Sequence, residues 1–440
     1  MRDLAVTAVI FGLLPFVLAR PDWGILLWTW VGLMNPHRLA WGFAYSFPFA
    51  VVIGAVTIIA IFISREPKRL PMHPVVLTLI AFFVWMTITT FFALFPSSAW
   101  PQLEKVAKIQ LFILLTLVVM QSRERIKALV WVSALSIAFY GIKGGVYTIA
   151  KGGHGMVLGP DGGFVAGNTE IALALTMTLP LMRWLQTQTA SRWLRWALGV
   201  SMVLIVIAIL GSYSRGGFLA LAAMGVFFWL KGNKKILIGA VLVMLIPLSL
   251  ALMPEEWHGR MDSIQHYEQD TSAMARLNSW GFAWNLAKAK PFTGGGFQTF
   301  QPDAFAIWAP DPTRVWDAHS IWMEIMAEHG FVGLALYLML WLLAWLLASN
   351  IISRTRSRAD FRWAGSLAAM IQASLIGYWI GGAFLSLAYW DYPYILVALL
   401  VLTKVVVDRE LVGKPASVGS PISAPAPTYA RSAPQLEKPG

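Results

Sequence analysis

Few residues of this 440-residue chain could do chemistry, and they sit in short polar breaks between long apolar runs. His319, in Asp317-Ala318-His319-Ser320, stands where a polar segment gives way to an apolar run. An imidazole titrates near pH ~6.5, so it can be neutral and accept a proton from a hydroxyl. Arg215 lies in Gly211-Ser212-Tyr213-Ser214-Arg215-Gly216-Gly217 between two apolar runs, and Arg276 lies among Ala275, Leu277 and Trp280. A guanidinium stays charged and holds a phosphate through two N–H bonds, while flanking glycines let backbone approach a ligand. A proton acceptor with two anion-holding groups suits transfer from a phosphate-bearing donor. Each residue also has an ordinary reading. Arg215 could snorkel to headgroups, Arg276 could pair with Glu268 or Asp270, and His319 could bond a backbone carbonyl.

Around these three stand weaker candidates. Lys143 and Lys151 precede Gly152-Gly153-His154, Lys105 and Lys108 open another apolar run, and Arg260, Arg314 and Asp317 share the largest polar segment. All could join a charged vestibule that binds substrate. Ser320 or Asp317 could cap the helix that follows, with His319 projecting from its first turn. On that helix Glu324 and Glu328 fall about 140° and 180° around from His319 at about 100° per residue. They are therefore not expected to share one small site, and Glu328 with His329 is assigned a structural role, pairing a basic residue on a neighbouring helix. The chain has seven histidines, none at ligand spacing, and neither a DxD-like pair nor HExxH. Nothing predicts a metal or other cofactor. The lack of a Walker A or dinucleotide fingerprint argues against a nucleotide-activated donor.

The elements that must position these residues are membrane helices. The chain is 58% hydrophobic and 13% charged, with a mean hydropathy of +0.64. Apolar runs fall at about 4–19, 23–34, 46–64, 74–95, 103–121, 128–150, 169–187, 194–212, 216–230, 236–253, 320–350, 361–387 and 391–407. A span needs ~20 apolar residues, so the 23–34 run, ending in Asn35-Pro36, reads as re-entrant or interfacial. About twelve crossings remain. Basic clusters at 65–69, 123–127, 183–195, 231–235 and 354–362 mark one side as cytoplasmic. An even number of crossings then puts both termini there, the first span being retained. The net charge of +12 is explained by those turns and anionic lipid, so no nucleic-acid partner is predicted.

This reading divides the chain into an N-terminal bundle (1–253), a partly helical far-side loop (254–319), C-terminal spans (320–408) and a disordered tail (409–440) rich in Pro, Ser and Ala. A helix is expected at 272–290, followed by Gly294-Gly295-Gly296. The chain lacks cysteine, which excludes disulfides. It shows no convincing internal repeat, which counts against transporters built from inverted halves.

The order Ser214-Arg215-Gly216, then Arg276 with Trp280 and a Pro-Phe-x-Gly-x-Gly loop, then His319-Ser320 with Glu328-His329-Gly330 and Gly333, resembles the O-antigen ligase and polymerase superfamily. Further upstream, Pro21-Asp22-Trp23-Gly24, Asn35-Pro36-His37 and Gly167-Asn168-Thr169-Glu170 look like the O-glycosylation ligases linked to exosortase systems. The resemblance implies an all-α, GT-C-like, metal-independent and inverting glycosyltransferase of the bacterial inner membrane. It would move a glycan from undecaprenyl diphosphate to a lipid A–core hydroxyl at the periplasmic face, with membrane lipids around it. His319 matches the family's catalytic histidine, and Arg215 and Arg276 its diphosphate-binding arginines. Ser320 stands where many relatives have Asn, a departure that bears on sugar binding there. An O-antigen polymerase, a protein O-glycosylation ligase and a lipid-linked glycan transporter are the alternatives. A transporter would place its ionisable residues near the midplane, whereas Arg215, Arg276 and His319 are expected at one face.

Overall fold

The computed structural model describes residues 1–231 and 271–413. All regular elements among the described residues are helical. In chain order they are α1 (Arg2–Ala19), α2 (Pro21–Met34), α3 (Phe49–Ile63), α4 (Pro74–Phe91), α5 (Pro96–Val119), α6 (Arg123–Ala150), α7 (Asn168–Thr187), α8 (Arg192–Gly211) and α9 (Arg215–Lys231). After the undescribed stretch come α10 (Thr271–Ala289), the short α11 (Pro302–Trp308), α12 (Ile321–Thr355), α13 (Arg362–Gly382) and α14 (Asp391–Gly413). The expected 236–253 span, Arg260, Glu268, Asp270 and the tail beyond 413 lie outside the described residues.

Local chemistry sets many of the ends. Proline, which has no N–H to leave unpaired, opens α2, α4 and α5. The Ser122 hydroxyl accepts from the Arg125 amide at 3.3 Å to cap α6. α2 stops at Asn35, which takes a left-handed φ of 48° and donates its side-chain amide to the Gly32 carbonyl at 3.0 Å. Helices then pack through small residues. A Cβ on Gly145 of α6 would lie 2.2 Å from the Leu204 carbonyl of α8, so only glycine permits that approach.

Six of the described helices are long and apolar enough to cross a membrane: Arg2–Ala19, Pro74–Phe91, Arg123–Ala150, Arg192–Gly211, Ile321–Thr355 and the 3-10-led Ala359–Gly382. The chain is a multi-pass membrane protein. Among the described residues, its basic clusters at 65–69, 123–127, 183–195 and 354–362 gather at one end of the bundle, while Lys234 and Lys235 lie outside the described residues. Arg125 bonds Glu66 at 2.6 Å, Lys127 reaches the Gln188 carbonyl at 3.5 Å, and the Arg123 guanidinium lies 5.0 Å from the Trp363 ring centre. Arg354 pairs with Asp408 at 2.6 Å, and Arg409 bonds Gln121 at 3.1 Å.

The same contacts correct the expected topology. Asp22, at the start of α2, lies 3.4 Å from Arg125, while the Tyr140 hydroxyl donates to the Met34 carbonyl at its end. α2 therefore runs parallel to α6 and joins the two ends of the bundle, where an interfacial or re-entrant piece was expected. Its 14 residues are about 21 Å long, short of a ~30 Å hydrocarbon core. Eight of them are buried against protein, so α2 need not match the lipid thickness. Asp3 Oδ1 accepts from the Gly42 and Ala44 amides at the end remote from the basic clusters, whereas α14 finishes beside Gln121. The first residues and Gly413 thus lie at opposite ends, against the expectation of both termini on one side.

Candidate active site

Helix α10 forms one wall of the site and holds a strap of chain against itself. The Asn278 side-chain amide donates to the carbonyls of Asp311 and Arg314 at 2.8 and 2.9 Å, and its oxygen accepts from the Asp311 amide at 2.8 Å. The Ser279 hydroxyl donates to the Trp316 carbonyl at 3.1 Å, and the Trp280 indole N–H donates to the Ala318 carbonyl at 3.0 Å. Consecutive residues of one helix thus pin residues 311–318, ending immediately before His319.

His319 has a φ of 42°, a left-handed conformation rare outside glycine. Such strain, of order 1–3 kcal/mol, persists only where the surroundings fix it. Here the strap fixes it on one side, and the His319 amide donates to the Ser386 hydroxyl at 3.0 Å on the other. Ser320 occupies the N-cap position of α12 without a side-chain capping bond. His319 therefore precedes the helix instead of projecting from its first turn. Burial pushes the imidazole pKa below its usual value, and the neighbouring Arg276 charge pushes it the same way, with Asp317 opposing both. The ring is biased toward the neutral form that can accept a proton.

Two glycine-rich segments far apart in sequence lock together beneath this wall. Gly330 interrupts α12 with φ 67°. The break would strand the carbonyls of Ala327, Glu328 and His329. Gly295 and Gly296 donate their amides to the first two at 2.8 Å each, and the Trp85 indole donates to the third at 3.0 Å. The Phe331 amide in turn donates to the Pro291 carbonyl at 2.8 Å. The Pro-Phe-x-Gly-x-Gly loop is thereby a plug for the helix break.

Arg215 opens α9 after a turn of four buried residues, Gly211–Ser214. Tyr213 takes φ 56°, its hydroxyl donates to the Gly153 carbonyl, and the Ser214 hydroxyl accepts from the Gly217 amide at 2.9 Å. The Asn168 amide donates to the Ser212 carbonyl at 2.9 Å, tying the turn to α7. A Cβ on Gly216 would lie 3.5 Å from Phe384, in the same short segment as Ser386. Gly216, the neighbour of Arg215, and His319 thus both border one segment, 384–386, at the end of the bundle remote from the basic clusters.

Residues 200–338, which hold Arg215, Arg276, His319 and Gly330, match the family model described as O-antigen ligase. Over this region the chain is similar to the O-antigen ligase and polymerase superfamily. Residues 1–191 match a second model, described only as a family of unknown function. None of the curated proteins compared matches the chain.

Of the described weaker candidates, Asp317 lies with His319, whereas Arg314, Lys143 and Lys151 stand apart. His319 and Asp317 sit on the strap, and Arg276 lies within electrostatic reach of both His319 and Glu170 of α7. Arg314 is exposed and paired with Asp311 at 3.2 Å. Lys143 and Lys151 are exposed at the far end of α6 and line neither cavity near the site.

A cavity of about 250 Å3 opens beside the strap, lined among others by Lys105, Gln298, Asp317, Glu324, Glu328 and Ser386. Glu324 and Glu328 both face this cavity, which His319 does not line. The angular argument took His319 as a helical residue, which it is not. Four residues apart, the two glutamates share a helix face. Among the described residues Glu328 also has no basic partner. Its carboxylate accepts from the Gln298 amide at 2.7 Å and from the Tyr389 hydroxyl, which also lies 2.9 Å from His329 Nε2. Glu324 accepts from the Ala388 amide at 3.1 Å. Sequence reading passed over Tyr389 and Ser386 because a short inter-helix segment carries no periodicity to aim its side chains.

Proposed function

We propose that the protein transfers a glycan from undecaprenyl diphosphate to a hydroxyl of a lipid A–core acceptor. The observation that carries this reading is a half-buried imidazole, biased neutral and locked at positive φ, beside Arg276 at one end of a membrane bundle. The acceptor oxygen attacks the anomeric carbon as the bond from that carbon to the diphosphate oxygen breaks. His319 takes the hydroxyl proton, and undecaprenyl diphosphate leaves with the bonding pair. Direct displacement inverts the anomeric centre.

Arg215 and Arg276 hold the diphosphate and stabilise its growing negative charge in a low-dielectric site. Base catalysis contributes typically ~10²–10⁴-fold. The donor stores the energy, so the reading requires no metal and no nucleotide. The gathering of basic clusters at the other end supports a periplasmic location for this one, in a bacterial inner membrane.

The test is a reconstituted transfer assay with purified protein, undecaprenyl-diphosphate glycan, rough lipopolysaccharide and chelator. Glycosylated lipopolysaccharide that disappears in Arg215→Ala and His319→Ala is the expected result. Longer lipid-linked glycan without that product would instead make the protein a polymerase.

A further inference from the structure

A second cavity, of about 350 Å3, adjoins the first. It is lined by Trp28, Asn35, Lys105, Lys108, Phe164 and Asp391, with Gly32 and Gly163 at its edges. Lys105 and Phe164 line both cavities, the Lys105 ammonium lying 4.1 Å from the Phe164 ring centre. Asp391 is 7% exposed, and its Oδ1 receives no hydrogen bond among the described residues. A buried carboxylate oxygen without a donor is costly, so the position calls for a donor from a ligand.

The lining selects the class of that ligand. Asp391 and Glu104 oppose an anion, Lys105 and Lys108 oppose a cation, and all four oppose an acyl chain. Hydroxyl groups satisfy both sets, since they donate to a carboxylate and accept from an ammonium. Phe164 and Trp28 add aromatic surface suited to the C–H groups of a sugar, one face of Trp28 being stacked on Phe112 at 3.6 Å and one of Phe164 covered by Lys105. The volume lies within the usual range for small-ligand sites, ~300–1,000 Å3.

We propose that this cavity is a saccharide subsite for an uncharged sugar one or more residues removed from the reacting one, with Asp391 and Lys105 reading its hydroxyls. The inference rests on the glycan-transfer reading above. Apart from Asp391, the named lining falls within residues 1–191, so the N-terminal stretch would be the wall that recognises glycan. The sugar could come from the donor glycan or from the acceptor core, two sources with the same chemistry.

Full-length protein in nanodiscs would be titrated with two lipid-free probes, the O-repeat oligosaccharide and the core oligosaccharide, by saturation-transfer NMR. Asp391→Asn removes the carboxylate. Gly32→Ala places a methyl 3.1 Å from Asp391 Oδ2, at a helical position where alanine favours the fold. One probe should bind the wild type, and its Kd should rise about tenfold or more in both variants, as for loss of a charged hydrogen bond. Whichever probe responds identifies the source. Should Asp391→Asn fail to fold, Gly32→Ala decides alone.

Binding of neither probe, or wild-type binding by the folded variants, overturns the subsite. Transfer measured in parallel separates the two readings. Normal transfer with unchanged KM for donor and acceptor in both variants removes the subsite and leaves the transfer reading. Variant-sensitive binding in a protein that transfers nothing keeps the saccharide site and removes the transfer reading.

Discussion

Trp280 donates its indole N–H to the carbonyl of Ala318 at 3.0 Å, one residue before His319. A side chain on α10 therefore sets the backbone from which the imidazole is presented. Trp280→Phe keeps the ring and deletes this bond. Its loss should cost about 1–3 kcal/mol of stability and lower the transfer rate roughly tenfold by loosening the base. A purified Trp280→Phe protein with wild-type kcat would show that the bond does not position His319.

The pH dependence should move in opposite directions for the two charges beside His319. Transfer needs the neutral imidazole, so its rate rises through the His319 pKa and levels above it. Burial and Arg276 hold that pKa below the usual histidine value of about 6.5, and Asp317 raises it. Arg276→Gln removes a lowering influence, so the acid limb should shift to higher pH. Asp317→Asn removes a raising one, so the limb should shift to lower pH. Rate profiles of both variants, each normalised to its own maximum, provide the check, and shifts in the same direction would exclude His319 as the titrating base.

Gly330 cannot accept a side chain. It holds φ 67°, and a Cβ there would lie 2.3 Å from the Phe292 carbonyl. Gly330→Ala combines backbone strain of about 1–3 kcal/mol with that collision, so little folded protein should be recovered. Gly12 of α1, with nothing within 4 Å of a Cβ, provides the control, since alanine there should leave thermal unfolding in detergent nearly unchanged. Equal stability of the two variants would mean that the loop does not plug the helix break.

Tyr389 connects the carboxylate of Glu328 with the ring of His329 inside the bundle. Tyr389→Phe takes this partner from Glu328 Oε2 and His329 Nε2 and should destabilise the protein by roughly 1–3 kcal/mol. Glu328→Gln keeps the shape and a hydrogen-bonding partner for the tyrosine, so its loss should be smaller. Chemical unfolding of the two variants ranks them, and the opposite order would assign the stabilisation elsewhere.

The membrane class was legible in the sequence because every span must carry its own apolar run, and α4, α6 and α8 do so without help from neighbours. The superfamily likeness was legible from Ser214-Arg215-Gly216, His319-Ser320 and Gly330, residues whose backbone demands leave a local trace. α2 left a misleading one. Its 14 residues run alongside α6 with eight of them buried against protein, and a rule calibrated on lipid contact reads them as too few.

What the sequence alone determined is therefore the solvent of the fold, the clustering of positive charge, and the residue types at the reacting end. Tertiary structure decided how they are aimed. A helical wheel assumes one axis for His319, Glu324 and Glu328, and the left-handed His319 lies off that axis. Lys105 and Asp391 are separated by most of the chain, yet they line one cavity because α14 returns to the end of α2. Periodicity reports which face of a helix is apolar, and it carries no information about which other helix that face will meet.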